Sequence, residues 1–218
     1  MNTIPFQSLD IYEFFCDSDL IDKVMTDVTG PNIFWKTTTR GNESSTMGNL
    51  DDTTPFYHPE LFKWIQDCVD QVAEKHFFDK KLTVVDAWLT KNIFGQRPVL
   101  HSHVNSVISG LLYFSTFNKS GTVFTYLDPW HDHISLLYTS DIPTKSITVN
   151  PEKGKLILWR SDIEHTIEPH TDMKKTRYTL AFNAFFDGII NSDTTRKLEI
   201  KVSSVKDQYE EFLKKKNG

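Results

Sequence analysis

The middle of the chain consists of short blocks of strand-forming residues, and these blocks constrain the fold more than any other feature. From Leu82 onward, runs rich in Val, Ile, Leu, Tyr, Phe, Trp and Thr are separated by Gly, Pro, Asn and Asp. Many short strands bounded by turn residues are typical of an all-β sandwich or barrel. The runs are LTVVDAWLTKNIF, VISGLLYFSTF, GTVFTYL, HISLLY, SITV, GKLILW and TRYTLAFNAFF.

Helical and polar segments flank this β core. A helix is predicted from about Leu20 to Val28, with Asp17 or Ser18 as its N-cap and Gly30 just after its end. Further predicted elements are a short strand within Ile4–Phe15, a helix over Pro59–Phe77, a strand over Leu198–Val202 and a charged helix over Val205–Lys216.

We therefore predict a mainly β protein of one domain, residues 1–218. Its parts are a helical and loop flank at 1–81, the β core at 82–190 and a C-terminal flank at 191–218. Residues 31–57 are polar and rich in Gly, Asn, Ser and Thr, which predicts a long loop. Long loops in compact domains often bind substrate, so this loop is expected to shape the entrance of a site.

Composition and charge limit the cellular setting. The net charge of −5 argues against nucleic acid as a main partner, because a phosphate backbone attracts basic surfaces. Cys16 and Cys68 are too few for a disulfide framework and form no CxxC pair, which favours a reducing compartment. The N-terminus has no signal-peptide pattern, and no apolar stretch is long enough to cross a bilayer. We expect a cytoplasmic protein with no membrane contact.

Three histidines have the spacing of a metal site. Side chains two residues apart on a strand share a face, so His101 and His103 in HSH can hold one ion from a single strand end. His165 follows the apolar run GKLILW, and sandwich folds set distant strands side by side. Three ligands on one face leave the opposite face open for substrate and oxygen, as in non-haem iron oxygenases. HxH alone is weak, because residues 131–133 repeat it in a polar loop.

An arginine on the last core strand suggests an anion site. Arg177 lies twelve residues after His165, and Thr179 shares its face. An inward-pointing arginine is costly unless it meets an anion, and a guanidinium beside a hydroxyl suits a carboxylate. Taken alone, an outward-facing arginine in an ordinary salt bridge is the commoner arrangement. Combined with the histidines at this spacing, the anion site is favoured.

These motifs together resemble a known family. The segments HSHVNSVISGLLYF, SGTVFTYLDP, PEKGKLILWRSDIEHTIEP and TRYTLAFNAFF look like the 2-oxoglutarate and iron(II)-dependent oxygenases of bacteria and phages. That group has an HxHPNSxISGxYY-type motif, a DP pair, a glycine-led strand before a histidine, and a final RxSxxFN strand. The resemblance covers roughly residues 82–187 and extends more distantly to prolyl hydroxylases. It implies a double-stranded β-helix, or jelly-roll, core.

The resemblance also implies roles for single residues. His101 matches the first iron ligand and His165 the distal one, while Arg177 and its neighbour Thr179 match the pair that binds the far carboxylate of 2-oxoglutarate. Tyr113 matches a tyrosine that often bonds the same carboxylate, although a core tyrosine with a satisfied hydroxyl is an equal alternative. Strand alternation further puts Asn92 and Asn183 at pocket positions, where each either lines the cosubstrate site or pairs with backbone.

The third ligand is the point at which this sequence departs from the commoner motif. His103 stands where many relatives have Asp, so three neutral imidazoles would leave the full charge of the ion. The bacterial and phage group keeps a histidine here, which favours His103 as a ligand. Two alternatives stay open: Asp128 in the YLDPW segment supplies the carboxylate, or the third position is empty.

The activity that the resemblance implies is an oxidation. The cofactors would be Fe(II), 2-oxoglutarate and O2, with ascorbate as a stimulant. An unidentified small-molecule or peptidyl substrate would be hydroxylated, with release of succinate and CO2. Two other functions remain in view: a cupin-like three-histidine dioxygenase that needs no 2-oxoglutarate, and a non-catalytic jelly-roll binding or structural module.

Overall fold

The computed structural model describes residues 10–31, 33, 35–37, 44–45, 56–77, 80–127, 144–190 and 198–217. In these residues the chain is mostly β with three helices. The helices are α1 (Ser18–Val28), α2 (Pro59–Phe77) and α3 (Val205–Asn217). The strands are β1 (Tyr12–Phe15), β2 (Lys36–Thr37), β3 (Ser44–Ser45), β4 (Lys81–Asn92), β5 (Ile108–Tyr113), β6 (Thr122–Leu127), β7 (Thr144–Val149), β8 (Lys155–Arg160), β9 (Glu164–Ile167), β10 (Arg177–Ile189) and β11 (Glu199–Ile200).

Two antiparallel sheets face each other. Among the described residues, the larger sheet has the order β1-β8-β5-β10-β4-β3-β2, with β11 paired to β10, and the smaller has the order β7-β6-β9. Strands distant in sequence are neighbours, since β10 lies between β4 and β5. This arrangement confirms the predicted mainly β, double-stranded β-helix fold with flanking helices.

Alternation along the strands of the larger sheet separates two cores. One face of the sheet packs against α1 and α2, and Leu180 and Phe182 of β10 lie there without exposed surface. The opposite face points between the two sheets and carries Ala181 among aromatic and aliphatic side chains. Period-two alternation therefore divides the sheet into a helix side and an inner side. The inner side holds the candidate site.

The two N-terminal helices form where local signals favour them. Asp17 caps α1, and its side chain accepts hydrogen bonds from the backbone N–H groups of Asp19 and Leu20. Pro59 begins α2 in the position where a missing N–H costs least. The apolar stripe of α2 buries residues at helical spacing against the sheet, among them Leu61, Ile65, Val69 and Val72.

A glycine in the middle of β5 allows the closest packing on the helix side. Gly110 pairs with Phe182 across the sheet, and the phenyl ring lies over the glycine. A Cβ added at Gly110 would stand 2.2 Å from Cζ of Phe182. The side chain of Phe182 thus fills the place that any other residue at 110 would need.

A β-bulge interrupts the pairing of β4 with β10. Asn183 pairs with Asp86, but Ala184 pairs with Val84, so Val85 is the extra residue. The carbonyl of Val85 accepts a hydrogen bond of 2.7 Å from Nε2 of Gln208 on α3. Before the bulge, the even-numbered side chains of β4 face the helices. After the bulge, the even-numbered side chains face the space between the sheets, because the extra residue reverses the alternation.

Most of the predicted elements are observed. The helix at Pro59–Phe77 has the predicted bounds, and α1 begins two residues earlier than predicted. The prediction missed β9 and the two-residue strands β2 and β3, while β11 is shorter than the predicted strand. The run HISLLY, most of the loop over 31–57 and residues 1–9 lie outside the described residues. No helix in the described part is both long and apolar enough to span a membrane. The division into three parts stays a prediction.

Candidate metal and cosubstrate site

Two chain segments join to bring the three histidines together. His165 lies on β9, where it pairs with Phe124 of β6. His101 forms a bridge with His165 through two backbone hydrogen bonds, of 3.0 Å from its N–H and 2.8 Å to its carbonyl. The backbone N–H of His103 donates to the carbonyl of Ser161 at 2.9 Å. The segment before β5 therefore runs beside β9 and aligns all three side chains.

The ligand atoms of the three rings converge on one point. One side-chain nitrogen from each of His101, His103 and His165 lies within 4.8 Å of the other two. The ring centroids are 4.5 to 5.1 Å apart, and Nε2 of His103 is 3.2 Å from Nε2 of His101. Such spacing is that of ligands grouped around a single ion.

The opposite nitrogen of each ring has an oxygen partner. Nδ1 of His101 lies 2.8 Å from the carbonyl of Val99, and Nδ1 of His165 lies 3.1 Å from the carbonyl of Ile163. Nδ1 of His103 lies 2.6 Å from Oδ1 of Asn183. Carbonyl oxygens only accept, so each Nδ1 carries the proton and each Nε2 keeps its lone pair. Three lone pairs directed at one point fit a divalent cation, and this donor set suits iron.

Burial keeps His165 in the form that binds metal. Loss of solvent, and then the neighbouring His101, lower the pKa of His165 to about 3, so its imidazole is neutral. Aromatic rings surround the histidines: Trp159 lies 4.8 Å and Phe124 6.0 Å from His165 between ring centroids. Trp88 lies 5.7 Å from His103. An apolar surround of this kind limits the access of water to a bound ion.

A second polar cluster lies further along the inner side. Arg177 is fully buried and donates to Oδ1 of Asn92 at 2.7 Å and to the carbonyl of Ser120 at 2.9 Å. The hydroxyl of Tyr113, also fully buried, lies 2.5 Å from Oγ1 of Thr122. Burial raises the pKa of Tyr113 to about 12, against the opposing effects of Thr122 and Arg177, so the phenol stays protonated. These donors provide a buried positive site between the sheets.

Comparison with known proteins decides what kind of core this is. Residues 86–183 match a protein-family model described as "Putative 2OG-Fe(II) oxygenase". These residues form a 2OG-Fe(II) oxygenase core. The protein is accordingly an oxidoreductase of the non-haem iron, 2-oxoglutarate-dependent dioxygenase class, as the sequence predicted. No curated protein matches the chain by sequence.

Solved structures share the fold of this oxygenase at low identity. A prolyl-4-hydroxylase from Pseudomonas putida is 12% identical, with 81% of this chain and 93% of the other covered and a TM-score of 0.54. HygX from Streptomyces hygroscopicus, with nickel, 2-oxoglutarate and hygromycin B bound, is 11% identical, with 91% and 95% covered and a TM-score of 0.58. SnoN, a non-haem α-ketoglutarate-dependent epimerase from nogalamycin biosynthesis, is 7% identical, with 90% of each chain covered and a TM-score of 0.60.

The oxygenase core contains the predicted site residues in two groups. His101, His103 and His165 lie together, whereas Arg177, Asn92 and Tyr113 lie in the second cluster with Thr179, whose hydroxyl is 2.5 Å from that of Thr90. Asn183 lies with the histidines rather than with Arg177. The alternative ligand Asp128 is outside the described residues.

Two residues near the histidines were not predicted from the sequence. Oγ of Ser109 lies 2.9 Å from Nδ1 of His103 and 2.9 Å from Oδ1 of Asn183. Asp86 accepts a side-chain hydrogen bond from Asn183. Alternation from the predicted inward-facing Tyr113 would have put Ser109 on the inner face. Asp86 carried a weaker signal, as a carboxylate between the apolar residues Val85 and Ala87.

Proposed function

We propose that this oxygenase uses Fe(II), 2-oxoglutarate and O2 to hydroxylate a C–H bond of a small-molecule or peptidyl substrate. The observation that carries the proposal is the set of three Nε2 atoms directed at one point, with every Nδ1 bonded to an oxygen acceptor. Without a cation, three lone pairs at this distance repel one another. A ferrous ion would convert that repulsion into coordination.

His101, His103 and His165 would hold the iron. The contact between Nδ1 of His103 and Asn183 supports His103 as the third ligand, because it leaves Nε2 unprotonated. Three neutral imidazoles do not reduce the charge of the ion, so the dianion of 2-oxoglutarate is the natural counter-charge. A carboxylate ligand from Asp128 remains the alternative to His103.

The Arg177 cluster would bind the far carboxylate of 2-oxoglutarate. On β6, Phe124 pairs with His165 and Thr122 pairs with Ile167. Thr122 is therefore two residues away from the partner of His165, which is about 7 Å along the strand. A five-carbon dicarboxylate has a length of this order. Arg177 and the hydroxyl of Tyr113 would donate to it, with Thr179 and Asn92 on either side.

When bound, the iron supplies the oxidising chemistry, in which 2-oxoglutarate and O2 give succinate and CO2 and one oxygen atom enters the substrate. The protein's own residues orient and protect. Hydrogen bonds at Nδ1 fix the rotation of each imidazole about the metal point, and Arg177 fixes the direction of the cosubstrate. Trp159, Phe124 and Trp88 exclude water from the histidines.

Succinate formation tests the reaction without knowledge of the substrate, because such enzymes turn over slowly when uncoupled. Protein purified without oxygen receives Fe(II), ascorbate and 2-oxoglutarate, and then O2. We expect succinate from the wild type and only background from His165→Ala and Arg177→Ala. His76→Ala, an exposed histidine on α2, is the matched control and should equal the wild type. Wild-type levels of succinate from His165→Ala would remove that residue from the ligand set.

A three-histidine dioxygenase without 2-oxoglutarate is the second candidate, favoured by the neutral ligand set. The buried Arg177 cluster argues for the first candidate, because a buried guanidinium with a phenol beside it fits the far carboxylate of 2-oxoglutarate. Thermal unfolding with Ni(II), with 2-oxoglutarate, and with both separates the two. Stabilisation by 2-oxoglutarate only when Ni(II) is present supports the first. Stabilisation by Ni(II) alone, unchanged by 2-oxoglutarate, supports the second, and no response to either favours a non-catalytic jelly roll.

We further propose that the enzyme acts in the cytoplasm and on a substrate other than nucleic acid. The free thiols of Cys16 and Cys68 and the net charge of −5 support these two points.

A further inference from the structure

The side chain of Asn183 lies between a metal-site histidine and a carboxylate. Its Oδ1 is 2.6 Å from Nδ1 of His103 and 2.9 Å from Oγ of Ser109. Its amide nitrogen donates to the carboxylate of Asp86, the residue with which Asn183 pairs across the sheet. A chain of hydrogen bonds therefore runs from Asp86 through Asn183 to His103.

Most groups in this series of hydrogen bonds can either donate or accept. An imidazole nitrogen and a hydroxyl each donate or accept, so His103 and Ser109 would satisfy either face of the Asn183 amide. Ser109 is in turn 2.9 Å from Oγ of Ser161, another hydroxyl with the same freedom. The carboxylate of Asp86 can only accept. It alone determines that the NH2 group of Asn183 faces Asp86 and the oxygen faces His103.

We propose that Asp86 is a positioning residue for the metal centre: by fixing the orientation of the Asn183 amide, it keeps the proton of His103 on Nδ1 and the lone pair on Nε2. This inference rests on the proposed function, in which Nε2 of His103 binds the metal. If the amide turned over, its NH2 group would donate to Nδ1, and the proton of His103 would move to Nε2. In that tautomer His103 could not bind metal through Nε2.

Asp86 also supplies charge to a site built from neutral ligands. The carboxylate is only partly exposed on the inner side of β4. Burial raises its pKa, while the hydrogen bonds from the N–H of Ala87 and from Asn183 lower it. In its ionised form, Asp86 would place a negative charge two hydrogen bonds from His103 and make that imidazole a better donor to a cation. Asp86 would thus contribute, through Asn183 and His103, part of the negative charge that an aspartate bound to the metal would contribute.

The tautomer of His103 in metal-free protein is the first measurement. Long-range ¹H–¹⁵N spectra of ¹⁵N-labelled protein, recorded above the pKa of a free histidine, distinguish Nδ1–H from Nε2–H rings. We expect Nδ1–H in the wild type and a substantial Nε2–H population in Asp86→Ala. Asp86→Asn, which keeps the size of the side chain, should also mix the tautomers, because an amide at 86 can face Asn183 with either group.

A reciprocal exchange separates this role from a general loss of packing. In the double variant Asp86→Asn, Asn183→Asp, the carboxylate lies next to His103 and accepts from Nδ1, while the amide behind it donates to the carboxylate. The Nδ1–H tautomer should return. Asp187→Asn on β10, a partly buried aspartate that contacts Lys81 and Thr83, is the matched control and should resemble the wild type.

Affinity for Co(II), measured by calorimetry, gives the second readout. We expect Asp86→Ala to bind Co(II) roughly 10- to 100-fold more weakly than the wild type, and the double variant to recover most of the loss. Wild-type tautomer and affinity in Asp86→Ala would overturn the inference, as would a double variant that stays with Nε2–H. If the wild type itself binds no Co(II), the proposed metal site fails. The spectra of metal-free protein would still decide whether Asp86 orients Asn183.

Discussion

Replacing Arg177 with methionine should abolish tight binding of 2-oxoglutarate while leaving the fold in place. Methionine matches the aliphatic stem of arginine and keeps the apolar contacts of that part of the side chain. It leaves Oδ1 of Asn92 and the carbonyl of Ser120 without their donor, which costs about 1–3 kcal/mol for each buried acceptor. Removal of a fully buried guanidinium offsets much of this cost. We therefore expect the free energy of unfolding of the metal-free protein to change by less than about 3 kcal/mol.

The effect on 2-oxoglutarate should be much larger. Loss of one partner from a buried ion pair costs about 3–5 kcal/mol, because the other charge stays desolvated. That range corresponds to binding weaker by roughly two to four orders of magnitude. Calorimetric titration of 2-oxoglutarate into Ni(II)-loaded protein measures it directly, and urea unfolding of the same samples measures stability.

Arg160→Met is the matched control, because Arg160 is exposed on β8 and bonds Asp162. It should bind 2-oxoglutarate as the wild type does. Arg177→Met with wild-type affinity and normal stability would refute the assignment, and the far carboxylate would have to bind elsewhere.

Two further outcomes concern stability. Burial, and then His101, lower the pKa of His165 from 6.5 to about 3, so the unfolded chain gains this proton at higher pH than the folded chain. The stability that depends on neutral His165 is complete above pH 6.5 and falls as the pH drops toward 3. At about pH 5, the free energy of unfolding of metal-free protein should be lower by about 2 kcal/mol than at neutral pH. Urea unfolding at the two pH values measures this difference, and the variant His165→Gln should not show it. Gly110→Ala should destabilise the protein by about 1–3 kcal/mol, because the added methyl group clashes with Phe182. In the double variant, Phe182→Leu should relieve part of that cost. Equal unfolding midpoints for Gly110→Ala and the wild type would contradict this packing argument.

The fold was predictable because its main elements carry strong local patterns. The helix at Pro59–Phe77 has an apolar stripe and a proline at its start, and the prediction gave both bounds. Most core strands are long apolar runs between turn residues. By contrast, β9 is the four-residue segment EHTI, and three of its four residues are polar. It forms because β6 and the segment at His101 pair with it from both sides, and such non-local pairing has no local signal.

The site was predictable only in part, for a similar reason. Spacing of His101, His103, His165 and Arg177 predicted the two polar clusters. His165 and Arg177 lie on strands, where the side-chain direction follows from alternation, and His101 joins His165 through a β-bridge. The hydrogen-bond chain through Asp86 was not predictable in this way. It depends on the register between β4 and β10, and the bulge at Val85 interrupts the alternation by which that register could be counted.

The bulge also sets how β4 can change in length. If Val85 were deleted, Val84 and Asp86 would become neighbours, as their partners Ala184 and Asn183 already are on β10, and the pairing would become regular. Asp86 and Trp88 would still point between the sheets, because regular alternation after Val84 turns Asp86 inward. The deletion would remove the carbonyl that accepts a hydrogen bond from Gln208 and so weaken the contact of β4 with α3. Homologous chains that keep this site are therefore expected to tolerate both substitution and loss of the residue between Val84 and Asp86.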